Sequence, residues 1–159
     1  MIEFKLLLLI ICANGAPIIA RRFFGRRFDL PIDGGQTTIR GNPWLGPSKT
    51  FRGVLAAVLT SSLVAYFLGF SWTFGVITGS LAMLGDLLAS FIKRRLGLPS
   101  SSQAPGLDQI PESLIPLIYS SSVFELGWLS ILLTVIGFWV SEILLSRLFF
   151  KLGLRRHPY

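Results

Sequence analysis

Phe74-Gly75-Val76-Ile77-Thr78-Gly79-Ser80-Leu81-Ala82-Met83-Leu84-Gly85-Asp86-Leu87-Leu88-Ala89-Ser90-Phe91-Ile92-Lys93-Arg94-Arg95 is the stretch whose reading decides the architecture. Residues 74–92 carry a single charged side chain, Asp86, and three basic residues follow at once. A helix needs about 20 apolar residues to cross the hydrocarbon core, so this reads as a transmembrane span with one buried acid. Gly75, Gly79, Ala82, Asp86, Ser90 and Lys93 recur at steps of three or four and share one face. Gly75 and Gly79 form a small-xxx-small pair that lets another helix approach closely, so the face carrying Asp86 points into a bundle. The positions three and four after Asp86 are Ala89 and Ser90, which offer no local ion pair. Lys93 lies roughly 10 Å further along the axis. A carboxylate at a bilayer edge is costly and marks a functional site by default. Its partner is then a base from elsewhere, Arg52 or Lys49, or a bound cation.

The rest of the chain repeats the apolar pattern. Of 159 residues, 52% are hydrophobic and 14% charged. The residues predict an all-α integral membrane protein, a single domain over 1–159 with about five spans at 4–20, 54–70, 74–92, 110–124 and 128–149. The first span resembles a signal-peptide core, but its basic residues follow the apolar run, so it reads as retained. The fourth is short and contains Pro111, Glu112 and Pro116; a re-entrant or interfacial segment is its other reading. With the N-terminus outside, 14 of the 15 basic residues fall on one side and only Lys5 on the other. The positive-inside rule makes the basic side cytoplasmic in a prokaryotic cell membrane and favours a full fourth crossing. Trp72 and Trp128 fall at the two short outer turns, where interfacial aromatics belong. The net charge of +7 follows from this asymmetry and from anionic lipid, and requires no nucleic acid.

Two cytoplasmic loops, at about 21–53 and 93–109, hold nearly all the polar chemistry. One cysteine, Cys12, excludes an intrachain disulfide and a Cys-based zinc site. One histidine, His157, reads as a solvated tail residue, which removes Ser-His-Asp and His-metal centres. Asp108 stands just before the fourth span. By itself it reads as a helix N-cap; beside Asp86 at the same face it reads as a second metal ligand. Oxygen ligands without His or Cys suit Mg²⁺, which takes one or two carboxylates together with substrate phosphates and water. The segment Gly46-Pro47-Ser48-Lys49-Thr50-Phe51-Arg52-Gly53 leads into the second span and offers a hydroxyl, an ammonium and a guanidinium beside a helix N-terminus, a natural anion site. It lacks the Walker A spacing. A basic anchor on lipid headgroups is its competing reading.

Taken in order, Asn14, Pro31-Ile32-Asp33-Gly34-Gly35, residues 46–53, Gly85-Asp86-Leu87-Leu88-Ala89-Ser90-Phe91-Ile92-Lys93-Arg94-Arg95 and Ala104-Pro105-Gly106-Leu107-Asp108-Gln109 resemble the CDP-archaeol synthase family. That family is a branch of the membrane cytidylyltransferases that includes CDP-diacylglycerol synthase. The resemblance covers nearly the whole chain. It implies that CTP and a lipid phosphate give CDP-lipid and pyrophosphate with Mg²⁺. It implies Asp86 and Asp108 at the metal, with Lys93 among the catalytic groups and sharing the charge of the triphosphate. Ser48, Lys49, Thr50, Arg52 and Arg94 would lie at the triphosphate. Membrane lipids are the further partners, and a homodimer is allowed.

Other readings are a small transporter, with Asp86 in an ion path, or a structural subunit with an intramembrane ion pair. An ion path calls for polar residues through the bilayer depth, whereas these acids lie at one face. The Asp-Gly-x2-Ala-Arg pattern of CDP-alcohol phosphotransferases is absent.

Overall fold

The computed structural model describes residues 1–39 and 41–153. Arg40, Arg155, Arg156 and His157, used above in the charge count and the tail reading, lie outside the described residues. Five helices form: α1 (Ile2–Phe24), α2 (Phe51–Phe67), α3 (Trp72–Arg95), α4 (Gln109–Phe124) and α5 (Trp128–Lys151). Caps set several of these bounds. Thr50 and Ser71 accept hydrogen bonds from the amides of Gly53 and Phe74, which starts α2 and α3 two or three residues before the apolar runs begin. Each hydroxyl satisfies one of the amides that a helix start leaves without a partner.

Neighbouring helices run antiparallel in chain order. Gly53 faces Pro17 where α2 meets α1, and Lys5 Nζ donates to Leu68 O (2.7 Å) at the opposite end of the same pair. Gly75 and Gly79 of α3 lie against Ser61, Ser62, Ala65 and Ala57 of α2. A side chain at Gly79 would overlap the Ser61 hydroxyl, which is the physical content of the small-xxx-small pattern. α5 closes the bundle parallel to α1: Ser130 Oγ donates to Glu3 (3.2 Å), and Gly137 faces Leu7.

α4 is a full member of the bundle. It meets α3 at Pro111 opposite Gly85 and again at Tyr119 and Phe124 opposite Phe74, so it runs antiparallel along the first half of α3. Three helices, α1, α3 and α5, are long and apolar enough by themselves to cross a membrane. α2 and α4, with 17 and 16 residues, rise only about 25 Å each. Pro111 does not break α4, because it falls in the first turn, where its missing N–H would have no partner, whereas Pro116 lies inside the helix and removes one bond from its ladder.

The core runs through Leu6, Leu9, Ile10, Phe74, Leu117 and Phe138. Outside it, Leu55, Leu59 and Leu63 make an exposed apolar stripe on α2, and Leu129, Leu132, Leu133, Ile136 and Val140 make one on α5. Stripes of this length are unfavourable in water and favourable against lipid. Trp72 and Trp128 are exposed at one end of the bundle, where residues 68–71 and 125–127 form short turns. The longer connections, 25–50 and 96–108, lie at the opposite end.

Candidate active site at the basic end of the bundle

The connection from α1 to α2 is held by its own backbone and by one aspartate. Ile32 N donates to Lys49 O (2.9 Å) and Phe51 N to Leu30 O (3.1 Å), which brings the start of the loop alongside its end. Asp33 accepts from the amides of Gly35 (3.0 Å), Leu45 (2.9 Å) and Gly46 (2.8 Å). Partial burial opposes its charge, but these donors hold its carboxyl below the usual aspartate value. Gly46 is buried at φ +96, and a Cβ there would sit 2.5 Å from Ser100 Oγ, so the turn requires glycine on both counts. Arg95 fastens the loop from α3. It donates to Pro43 O (2.7 Å) and its guanidinium lies over the rings of Trp44 and Phe91. The Gly/Pro-rich loop is therefore folded onto the end of α3.

Two ion pairs define the site. Lys49 Nζ bonds both carboxylate oxygens of Asp86 at 2.5 and 2.6 Å. Lys93 Nζ lies 2.5 Å from Asp108 Oδ1 and also donates to Ser102 O (3.0 Å). All four side chains are at most 22% exposed. Burial alone disfavours the Lys49 ammonium, but Asp86, and after it Glu112, hold its pKa above the ordinary lysine value. Of the two cation sources read for Asp86, Lys49 is the one in contact. Asp108 occupies the N-cap position of α4 but makes no side-chain cap. Its Oδ2 instead accepts from Ala104 N (2.8 Å), closing the 96–108 connection onto the site.

Arg94 is 3% exposed, and its Nε and Nη1 have no partner among the described residues. A buried guanidinium with idle donors is costly unless an anion completes it. It lies beside Gly46, and Asp108 is the carboxylate whose charge reaches it. Ser48 is exposed on the turn, and Thr50 is buried as the cap of α2. Arg52 has a different position from that expected for a nucleotide contact. Its Nη1 donates to Gly25 O (2.9 Å) and Arg27 O (2.6 Å), and its Nη2 pairs with Asp29 (2.8 Å). It straps the end of α1 to the start of α2. Asn14, part of the resemblance, donates to Ile10 O of its own helix (3.1 Å).

One acid was missed by the sequence reading. Glu112 is 6% exposed and its carboxyl lies beside that of Asp86. Its signal was a carboxylate in the first turn of an apolar helix, four residues after Asp108 and so on the same face. Asp86, Asp108 and Glu112 supply hard oxygen donors with no His or Cys among them, which fits Mg²⁺. Among the described residues, no three such side chains form a ready cage, so an ion here would complete its shell with phosphate oxygens and water.

A helical bundle with apolar stripes outside, and with acids, lysines and a buried arginine at one end, defines a multi-span membrane protein with its charged groups gathered at that end. The family model described as "CarS-like: CDP-archaeol synthase" matches residues 68–159. The CDP-archaeol synthase of Hyperthermus butylicus is 41% identical over 106 residues, 63% of this chain and 60% of that protein. The CDP-archaeol synthase of Sulfurisphaera tokodaii is 38% identical over 138 residues, 81% of each chain. A solved structure described as an intramembrane enzyme for archaeal membrane lipids biosynthesis superposes with a TM-score of 0.76 at 26% identity, covering 89% of this chain and 90% of that one. The chain belongs to the CDP-archaeol synthase family and is an enzyme of its cytidylyltransferase class.

Proposed function

We propose that this enzyme transfers the cytidylyl group of CTP to an archaeal-type lipid phosphate, 2,3-di-O-geranylgeranylglyceryl phosphate or a close relative, giving CDP-lipid and pyrophosphate. The observation that carries this reading is the set of Lys49, Lys93 and Arg94, whose Nε and Nη1 lack a partner among the described residues, gathered with Asp86 and Asp108 at one end of a lipid-facing bundle. The described arginines and lysines of the loops and helix ends cluster at that end, while Lys5 lies at the other, which supports a site open to the cytoplasm.

A phosphate oxygen of the lipid attacks the α-phosphorus of CTP, and the bond from that phosphorus to the bridging oxygen of the β-phosphate breaks. The electron pair leaves with pyrophosphate. The attacking phosphate is already anionic at neutral pH, so no strong base is needed. The barrier lies in bringing two anions together. Lys49, Lys93 and Arg94 offset that repulsion and the charge developing on the leaving group. The folded loop behind Lys49 fixes the approach and lowers the entropic part of the barrier. Mg²⁺, held by Asp86 and Asp108, would neutralise phosphate charge and act as a Lewis acid. The isoprenoid chains remain against the apolar stripes while CTP arrives from water.

The purified protein, incubated with labelled CTP, Mg²⁺ and a panel of ether- and ester-linked lipid phosphates, is expected to yield CDP-lipid and pyrophosphate, fastest with the isoprenoid ether. No product from any lipid by folded protein would overturn the proposal.

A further inference from the structure

The crossing of α3 and α4 brings Glu112 into contact with Asp86. The backbone builds this contact: a Cβ at Gly85 would lie 2.5 Å from the carbonyl carbon of Pro111 and 2.7 Å from Glu112 N. Only a glycine lets the two helices meet so closely, and the residue after each point of contact is an acid, Asp86 on α3 and Glu112 on α4. Two carboxylates brought this close repel each other, and a cation held between them offsets that repulsion. Lys49 is bonded to Asp86, and its charge is felt by Glu112 as well. Asp108 is placed differently, with Oδ1 on Lys93 and Oδ2 on Ala104 N. Arg94, buried at the same end with Nε and Nη1 unpartnered, independently marks a place for a phosphate. A phosphate-bound divalent cation prefers oxygen ligands of the kind that Asp86 and Glu112 present together.

We propose that Glu112 joins Asp86 as a carboxylate ligand of the divalent cation that accompanies the nucleotide. The inference rests on the reading of this end as a metal–CTP site. Glu112→Gln keeps the volume and a polar group beside Asp86 but removes the charge, which separates ligation from mere support of Asp86.

The test uses the detergent-solubilised full chain, with Mn²⁺ as the probe, CTP present and no lipid, read by electron paramagnetic resonance. The wild-type protein is expected to hold Mn²⁺ more tightly than CTP does alone. Glu112→Gln and Asp86→Asn are each expected to weaken that binding by about tenfold or more, and Glu3→Gln, at the far end of the bundle, to leave it unchanged. Glu112→Gln binding within about twofold of wild type, in protein that melts normally, would overturn the inference alone. Should Glu112→Gln not fold, Glu112→Asp, which withdraws the carboxylate by one methylene, is expected to weaken binding by about threefold or more, and unchanged binding overturns the inference. Wild-type protein that adds nothing to the Mn²⁺ affinity of CTP would overturn the metal reading of the site itself.

Discussion

Lys49 Nζ stands 2.5 and 2.6 Å from the two carboxylate oxygens of Asp86, bridging the loop before α2 to the inward face of α3. Breaking a buried pair by removing one partner costs about 3–5 kcal/mol, because the other charge is left unpaired; partial exposure of both groups places this pair at or below the lower end. Lys49→Met should lower the melting temperature and raise the KM for CTP. Adding Asp86→Asn should restore much of the stability and none of the activity. Thermal melts and CTP titrations on the two variants check both parts. A double variant as unstable as the single one would deny the pair its structural share.

Asp86→Asn and Asp108→Asn should each reduce turnover by roughly 10²-fold or more, with the protein still inserted in the membrane. The amides keep size and hydrogen bonding but lose the charge that faces Lys49 and Lys93. CDP-lipid formation in membranes of matched protein content is the measurement, and full activity in either variant would remove that residue from the chemistry.

Arg94 and Arg52 should part company. Arg94→Ala is expected to raise the KM for CTP by about tenfold, as loss of a charge-assisted contact would. Arg52→Ala should leave that KM within about twofold and instead loosen residues 25–30, since it removes the bonds to Gly25, Arg27 and Asp29. Kinetics paired with proteolysis at Arg26 and Arg27 separates the two outcomes.

Gly85→Ala should cost about 1–3 kcal/mol, because its new methyl meets the Pro111 carbonyl, which is backbone and cannot swing aside. It should also lower activity by separating Asp86 from Glu112. Gly15→Ala, with nothing within 4 Å of the new Cβ, should be neutral or stabilising by up to about 1 kcal/mol. Unfolding midpoints of the two variants give the comparison.

The loop should open in acid. The Asp33 carboxyl is held below its usual value in the folded loop, so its contribution is full above the unfolded pKa of about 3.9 and is lost as pH falls through the folded value. Hydrogen exchange at the amides of Leu45 and Gly46 should therefore quicken, relative to the intrinsic rate, only below about pH 4. Asp33→Ala should show the fast exchange at every pH.

The five helices were legible because apolar length and small-residue spacing are local properties of the chain. Gly75 and Gly79 announced a close helix contact, and Ala57, Ser61 and Ala65 receive it. The helix starts at Phe51 and Trp72 precede the apolar runs, since a cap depends on one hydroxyl rather than on hydropathy. The short fourth span was harder to read. Its 16 residues and its prolines left an interfacial segment open, and only the contacts with Gly85 and Phe74 make it a full bundle member.

By itself, the sequence determined an all-helical membrane bundle, a basic end, and an inward-facing Asp86 without a neighbour on its own helix to balance it. Only the tertiary structure decided which cation meets that acid, because Lys49 is 37 residues away in the chain. It likewise sent Arg52 to the end of α1 and brought Glu112 against Asp86 through the bare backbone of Gly85. Periodicity fixes which way a side chain faces on its own helix; what it meets there depends on how the helices cross, and that is set by contacts between residues far apart in the chain.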